Sequence, residues 1–491
     1  MAGTSGDTIL ITLTVPAWVG VAALLGARRP ATNFSQPTSP WLVVAQATSL
    51  GAPLIGVLTR AVTPTASLMA ALVSLLVRSA LVWWWWGRWA GAEAGIRNSH
   101  PPSIYLPVLA RRWQRAGTMA VATLAIAAVK FKAAFPPGWV EAKTCAAAAR
   151  GGLTLMDAGM GVVIAGAGAA AAATWHTPPR LGSLAPLLLA GLACPLFTQV
   201  VGGYHSDDGG PHCNTFLILA AIRASGRWVV SVVPAALTGW VVPPEPPAAG
   251  ALLKASLVSL GVHVVVLATD GTRAWEPPRD HRRTTGLAAL VGANAEAALT
   301  APGLWSLHAA AAALERWHAA VEERSVERAV AVRTAPRSLT ATAFARAGRS
   351  AAVAASLGCV ALAAARLAPP CRATANPPYL VCCLALHEAG SAASCAVIGL
   401  ISAATGGVPA PVSPLIHHFP LLAGLGGPGA LVALLTASTV ASCVSWMASP
   451  HRAGPGKARV CLLAHFVVVV TSGLWAAAWR VKRRGVAAAE K

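Results

Sequence analysis

Uncharged apolar runs of about twenty residues recur along the whole chain. That recurrence fixes the class of fold more tightly than any other feature. A run of this length crosses a bilayer as one α-helix. Within lipid every backbone donor and acceptor must be satisfied inside the structure, which leaves helices or closed barrels. Uninterrupted apolar runs, rather than alternating ones, select the helix. Of the 491 residues, 55% are hydrophobic and 11% charged, against about 25% charged in an average soluble domain. An alanine-rich soluble helical protein of this length would need far more charged surface. The sequence therefore predicts an all-α, polytopic integral membrane protein with about nine to thirteen transmembrane helices.

Candidate spans lie near 8–27, 41–60, 64–86, 117–135, 152–174, 183–202, 213–236, 250–269, 284–304, 350–368, 378–404, 421–447 and 460–479. Some are expected to be half-helices or merged pairs. Breaker-rich linkers separate them, among them NSHPPS (98–103), VPPEPP (242–247) and WEPPRDHRR (275–283). The run WWWWGRW (83–89) reads as an interfacial aromatic belt.

The net charge is +21, carried in short clusters between the apolar runs. Such clusters mark cytoplasmic loops and favour anionic lipid or phosphate as neighbours. Basic patches interleaved with aromatics, as base stacking requires, are not evident, which argues against nucleic acid. Residues 311–349 carry Arg316, Arg324, Arg328, Arg333, Arg337, Arg346 and Arg349, and the tail reads RVKRRG. Both are expected on the cytoplasmic side, with the C-terminus. Within this segment Leu314, Trp317 and Val321 share one helical face, predicting an interfacial amphipathic helix. The ten cysteines form no CxxC pair and no disulfide framework. Most lie in apolar runs and read as small hydrophobes.

Chemistry is concentrated in LVCCLALHEAGSAASC (380–395), where His387 and Glu388 interrupt an apolar run. Ionisable groups inside a membrane are costly and mark function by default. A zinc-protease HExxH site is excluded, because position 391 is Ser. Adjacent helix residues point about 100° apart, so Glu388 faces a different neighbour from His387. Besides Glu388, only Asp157 and Glu296 qualify as intramembrane carboxylates, which speaks against a proton-driven transporter. GGYHSDDGGPHCN (202–214) reads as a solvated loop and PLIHHFP (414–420) as a membrane boundary. No permanently bound cofactor or metal is expected.

Four stretches, in order, resemble the fungal and plant wax-synthase branch of the membrane-bound O-acyltransferases. IRASGRWVVSVVP (222–234) is similar to that branch's Arg-Gly-x-Gly-x-Trp stretch through Arg223, Gly226 and Trp228. An apolar helix ending in Asp270 follows. WSLHAAAAALERWHAAV (305–321) resembles the Trp-Ser-Leu … Arg-x-Trp-His segment through Trp305, Ser306, Leu307, Arg316, Trp317 and His318. LVCCLALHEAG is similar to the helix holding the family's active-site histidine, which maps onto His387. The resemblance covers residues 220–480, so the chain divides into 1–200, of unassigned role, and 201–491, an acyltransferase domain.

The resemblance implies a membrane acyltransferase that moves an acyl group from acyl-CoA, its co-substrate, to the hydroxyl of a lipophilic alcohol drawn from the bilayer. It implies His387, His318 and Trp317 as catalytic residues and Arg223, Trp228, Asp270, Trp305 and Arg316 as substrate-binding ones. The endoplasmic reticulum is the expected membrane. The competing expectation is a non-enzymatic polytopic protein, either a transporter or a subunit of a membrane complex.

Overall fold

Helix is the only regular structure among the described residues, as backbone satisfaction in a membrane requires. The computed structural model describes residues 3–25, 40–89, 106–130, 135, 153–172, 175, a few positions between 184 and 192, 217–225, 249–269, 287–331, 338–372, 374–404 and 456–472. The labelled helices are α1 (Gly3–Leu24), α2 (Pro40–Leu58), α3 (Pro64–Trp89), α4 (Leu106–Lys130), α5 (Leu155–Ala171), α6 (Ala249–Ala268), α7 (Leu287–Ala331), α8 (Leu339–Ala365) and α9 (Pro377–Ala404). Shorter helical stretches run over 217–225 and 456–472.

Six of these helices are long and apolar enough to cross a membrane: α1, α2, α3, α6, α8 and α9. The all-α, polytopic expectation holds. The predicted spans near 421–447 and most of 183–202 lie outside the described residues. The expected run 117–135 begins earlier, at Leu106, and α4 takes in Arg111, Arg112 and Arg115. The run 284–304 continues without a break into the Arg-rich segment, making α7 45 residues long.

Outward faces confirm the solvent for which the chain is built. Met69, Leu72, Val73 and Leu76 of α3 are exposed, as are Leu253, Leu257 and Val265 of α6. In water each would cost transfer free energy, whereas in a bilayer such side chains meet acyl chains. The apolar window of α8 is 6% buried, against 67% for that of α9, whereas the first turns of α8 bury Leu339, Thr342, Ala343, Arg346, Ala347 and Ser350.

The chain forms two compact units. One comprises 1–5, 141–318 and 354–387, the other 6–140, 319–353 and 388–491. In the second, α1 packs through Gly20, where an added β-carbon would lie 2.6 Å from Val397 and 3.0 Å from Leu75. Trp113 Nε1 donates to the Pro16 carbonyl at 3.2 Å. Gly51 of α2 accepts the ring of Phe466. Close approach through small residues is how apolar helices associate without a hydrophobic driving force.

The face of α7 assigned to the amphipathic helix points outward. Trp317 is exposed, and Leu314 and Val321 are half-buried. The opposite positions Glu315, His318 and Glu322 are buried. Polar groups inside and apolar groups outside suit a helix lying against lipid. In the second unit Glu322 is held by Arg349 at 3.0 Å and Arg346 at 3.4 Å.

Candidate active site

In the first unit Asp157, 1% exposed, is a buried carboxylate in the first turn of α5. Local sequence explains its position. Thr154 is the N-cap, and its Oγ1 accepts from Asp157 N at 3.2 Å. The Asp157 carboxylate accepts in return from Thr154 N at 3.3 Å and from Thr154 Oγ1 at 2.8 Å. This reciprocal capping box also places negative charge at the positive end of the helix dipole. The second carboxylate oxygen accepts from Arg372 Nε at 3.2 Å.

Arg372 sits in the turn between α8 and α9, which is braced on several sides. Asn376 caps α9: its Oδ1 accepts from Tyr379 N at 3.3 Å and from Cys371 N at 3.0 Å, and its Nδ2 donates to Pro369 O at 2.8 Å. Pro377 takes the first helical position, where its missing N–H costs nothing. Ala375 adopts a left-handed φ of 46°. His263 of α6 lies 3.0 Å from the Thr374 carbonyl and 3.1 Å from the Ala375 carbonyl through Nε2. Two carbonyls only accept, so this nitrogen carries the proton. Gly303 of α7 leaves the room, since a β-carbon there would lie 2.7 Å from the His263 ring. Cys371 is disulfide-bonded, with its partner outside the described residues. The reading of the cysteines as small hydrophobes holds for buried Cys383 and Cys395 and fails for Cys371.

From this turn α9 enters the unit with Tyr379, Cys383 and His387 four residues apart, on one stripe. The stripe lies along α5. Tyr379 Oη donates to the Asp157 carbonyl at 2.7 Å. A β-carbon on Gly161 would stand 2.7 Å from Cys383 Cβ. His387 Cε1 is 3.9 Å from the β-carbon position of Gly166. Contacts advance together along both helices, so α5 and α9 run parallel in register. His387 lies ten residues beyond Pro377, about 15 Å along the axis. That is half of a hydrocarbon core of about 30 Å. The Asp157–Arg372 pair thus lies at the start of the apolar α9 span, and buried His387 near its middle.

The other side of α5 meets α7. Gly168 packs directly on the His308 carbonyl, with His308 Cα 3.0 Å from its β-carbon position. Gly166 and Gly168 are about 3 Å apart along the axis. His387 and His308 therefore flank the same turn of α5. Trp175, just after α5, has its ring 4.9 Å from that of His308, tilted by 57°, and edge-on at 5.9 Å to Trp305. Ser256 of α6 donates to the Ser306 carbonyl at 2.9 Å.

Of the sequence-derived candidates, His387 and Trp305 fall in this cluster. Arg223 is exposed on the 217–225 stretch, near enough to act electrostatically on His308. His318 is buried about 15 Å along α7 from His308. Trp317, its ring 4.8 Å from that of His318, is exposed, and Arg316 is half-buried. Trp228 and Asp270 lie outside the described residues, as do the loops 202–214 and 414–420. Sequence reading missed Arg372, Tyr379, Trp175 and His308. Only the four-residue spacing of Tyr379, Cys383 and His387 carried a readable signal.

A scan against family models matches the GWT1 family over residues 1–408. No curated protein and no solved structure matches the chain. The match overturns the wax-synthase resemblance. That resemblance rested on scattered Trp, His, Arg and Gly positions in an apolar background and left the first 200 residues unexplained, whereas the GWT1 model accounts for them continuously. The roles it lent to His387, His318, Trp317, Arg223, Trp228, Asp270, Trp305 and Arg316 lose that support. The chain belongs to the GWT1 family, a family of membrane acyltransferases of glycosylphosphatidylinositol-anchor biosynthesis.

Proposed function

We propose that the protein transfers a fatty acyl group from acyl-CoA to an inositol hydroxyl of a glycosylphosphatidylinositol precursor, in the membrane of the endoplasmic reticulum. The observation that carries this reading is the α5–α9 seam. It is a polar stripe from the Asp157–Arg372 pair to His387 along two apolar helices of a GWT1-family chain. A glycolipid acceptor matches that seam, with its hydroxylated headgroup at the polar groups and its chains in lipid.

In the reaction the inositol oxygen attacks the thioester carbonyl, the C–S bond breaks, and the coenzyme A thiolate leaves. The hydroxyl proton passes to a base. We assign that base to His387, whose imidazole is buried at mid-depth where bulk water does not compete for the thioester. Arg372, held by Asp157, keeps the buried carboxylate paired at the start of the seam.

A second reading makes Asp157 the base, favoured by its near-complete burial. Against it, the carboxylate already accepts from Thr154 N, Thr154 Oγ1 and Arg372 Nε, so both of its oxygens are engaged within the fold. Acyl transfer from radiolabelled palmitoyl-CoA to a dioctanoyl glycosylphosphatidylinositol by purified protein separates the two. His387→Ala is expected to lower kcat by about 100-fold or more at unchanged melting temperature. Asp157→Asn is expected to act mainly through stability. Full activity in His387→Ala with loss in a well-folded Asp157→Asn would transfer the role to Asp157.

A further inference from the structure

The cluster on the far side of α5 holds polar groups that the fold leaves unmet. His308 is 2% exposed, and neither ring nitrogen has a hydrogen-bond partner among the described residues. Trp305, 6% exposed and one turn earlier on α7, has its Nε1 likewise unpartnered. Both rings meet Trp175. Leaving three such atoms unsatisfied is expensive, and native structures tolerate it chiefly where a ligand or solvent completes the set. The cluster also flanks the turn of α5 that His387 meets.

We propose that Trp305, His308 and Trp175 form the subsite for the acceptor's hydroxylated ring, with Arg223 taking the phosphodiester beside it. The inference rests on the acyl-transfer reading and names where its acceptor binds.

The chemistry of the groups selects the ligand. An indole N–H only donates, whereas a neutral imidazole donates at one nitrogen and accepts at the other. A hydroxyl does both, so vicinal ring hydroxyls satisfy the set, whereas a carboxylate leaves the accepting nitrogen unmet. Indole faces suit the C–H surface of a saturated ring. Arg223 is exposed, which gives the charged part of the headgroup an approach from the surface toward the buried ring site. Gly168 fixes the depth of that site by seating α5 on the His308 backbone.

The test is binding of tritiated dioctanoyl glycosylphosphatidylinositol to the full-length protein in detergent, with no acyl donor present. Trp305→Phe keeps the ring and removes its N–H; His308→Phe keeps the volume and removes both nitrogens. Each is expected to weaken glycolipid binding by about tenfold, and Arg223→Ala by a similar factor, with palmitoyl-CoA binding unchanged. If His308→Phe fails to fold, Trp305→Phe and Arg223→Ala carry the test. Wild-type binding in folded Trp305→Phe and Arg223→Ala overturns the subsite. So does equal weakening for dioctanoyl phosphatidylcholine, which lacks the ring hydroxyls. Glycolipid binding lost in these variants, in a protein that transfers no acyl group, upholds the subsite and removes the acyl-transfer reading instead.

Discussion

At the residue scale the decisive group is Asp157, because burying a carboxylate in an apolar helix is tolerated only when it is paired and hydrogen-bonded. Arg372 supplies the pairing and Thr154 the cap. Removing one partner of a buried pair leaves the other uncompensated, which costs about 3 kcal/mol. Arg372→Met is therefore expected to lower the melting temperature in detergent by several degrees. The double variant Arg372→Met with Asp157→Asn is expected to recover part of that loss, since no charge is then stranded. An additive double variant would show that the two residues act independently. Thr154→Ala removes only the cap and is expected to cost about 1 kcal/mol.

At the element scale the seam between α5 and α9 depends on glycine placement. Gly159 and Gly161 lie two positions apart on α5 and face different surroundings. No heavy atom lies within 4 Å of the β-carbon position at Gly159, whereas Cys383 fills that at Gly161. Gly159→Ala is expected to be neutral or to raise the melting temperature, because alanine favours the helix by up to about 1 kcal/mol. Gly161→Ala is expected to part the helices and lower it. Adding Cys383→Ala should not restore the loss, since the clashing Cβ of residue 383 remains 2.7 Å away, whereas Cys383→Gly should restore part of it. Thermal melts of the five proteins decide this. The helices themselves were legible in sequence, because twenty-residue apolar runs have few alternatives. Their pairing was not. Asp157 meets Arg372 across 215 positions, and nothing in the periodicity of either segment announces that partner. His308 was hidden differently: it stands beside Trp305, Ser306 and Leu307, but the borrowed motif drew attention to its neighbours.

At the scale of the whole molecule, charge and redox chemistry favour one orientation. α8 has 27 residues, about 40 Å of helix, enough to cross a bilayer. The Arg-rich stretch before it and the Cys371 turn after it are therefore expected on opposite faces of a membrane. We propose the orientation that puts the first in the cytoplasm, as positive charge favours, and the second on the oxidising, lumenal side, where disulfides persist. In sealed microsomes a cysteine replacing exposed Arg324 is expected to react with an impermeant maleimide. A cysteine replacing Arg366, next to the Cys371 turn, is expected to react only after permeabilisation. The reverse pattern would invert the topology and put the Asp157–Arg372 pair on the cytoplasmic side. The membrane fold was legible from composition, but the chemistry reached from four short motifs was assigned to the wrong acyltransferase family. A few aromatic and basic residues at loose spacing recur easily in a chain this rich in alanine and leucine, whereas a match over 1–408 does not.

The account turns on which oxygen receives the acyl group. Purified protein would be given palmitoyl-CoA and dioctanoyl glycosylphosphatidylinositol, and the product fragmented by mass spectrometry. The account predicts one palmitoyl group retained on the inositol-phosphate fragment, absent when His387→Ala is used at equal expression. A palmitoyl group on the sugar, or none from a folded and donor-binding wild type, would contradict it.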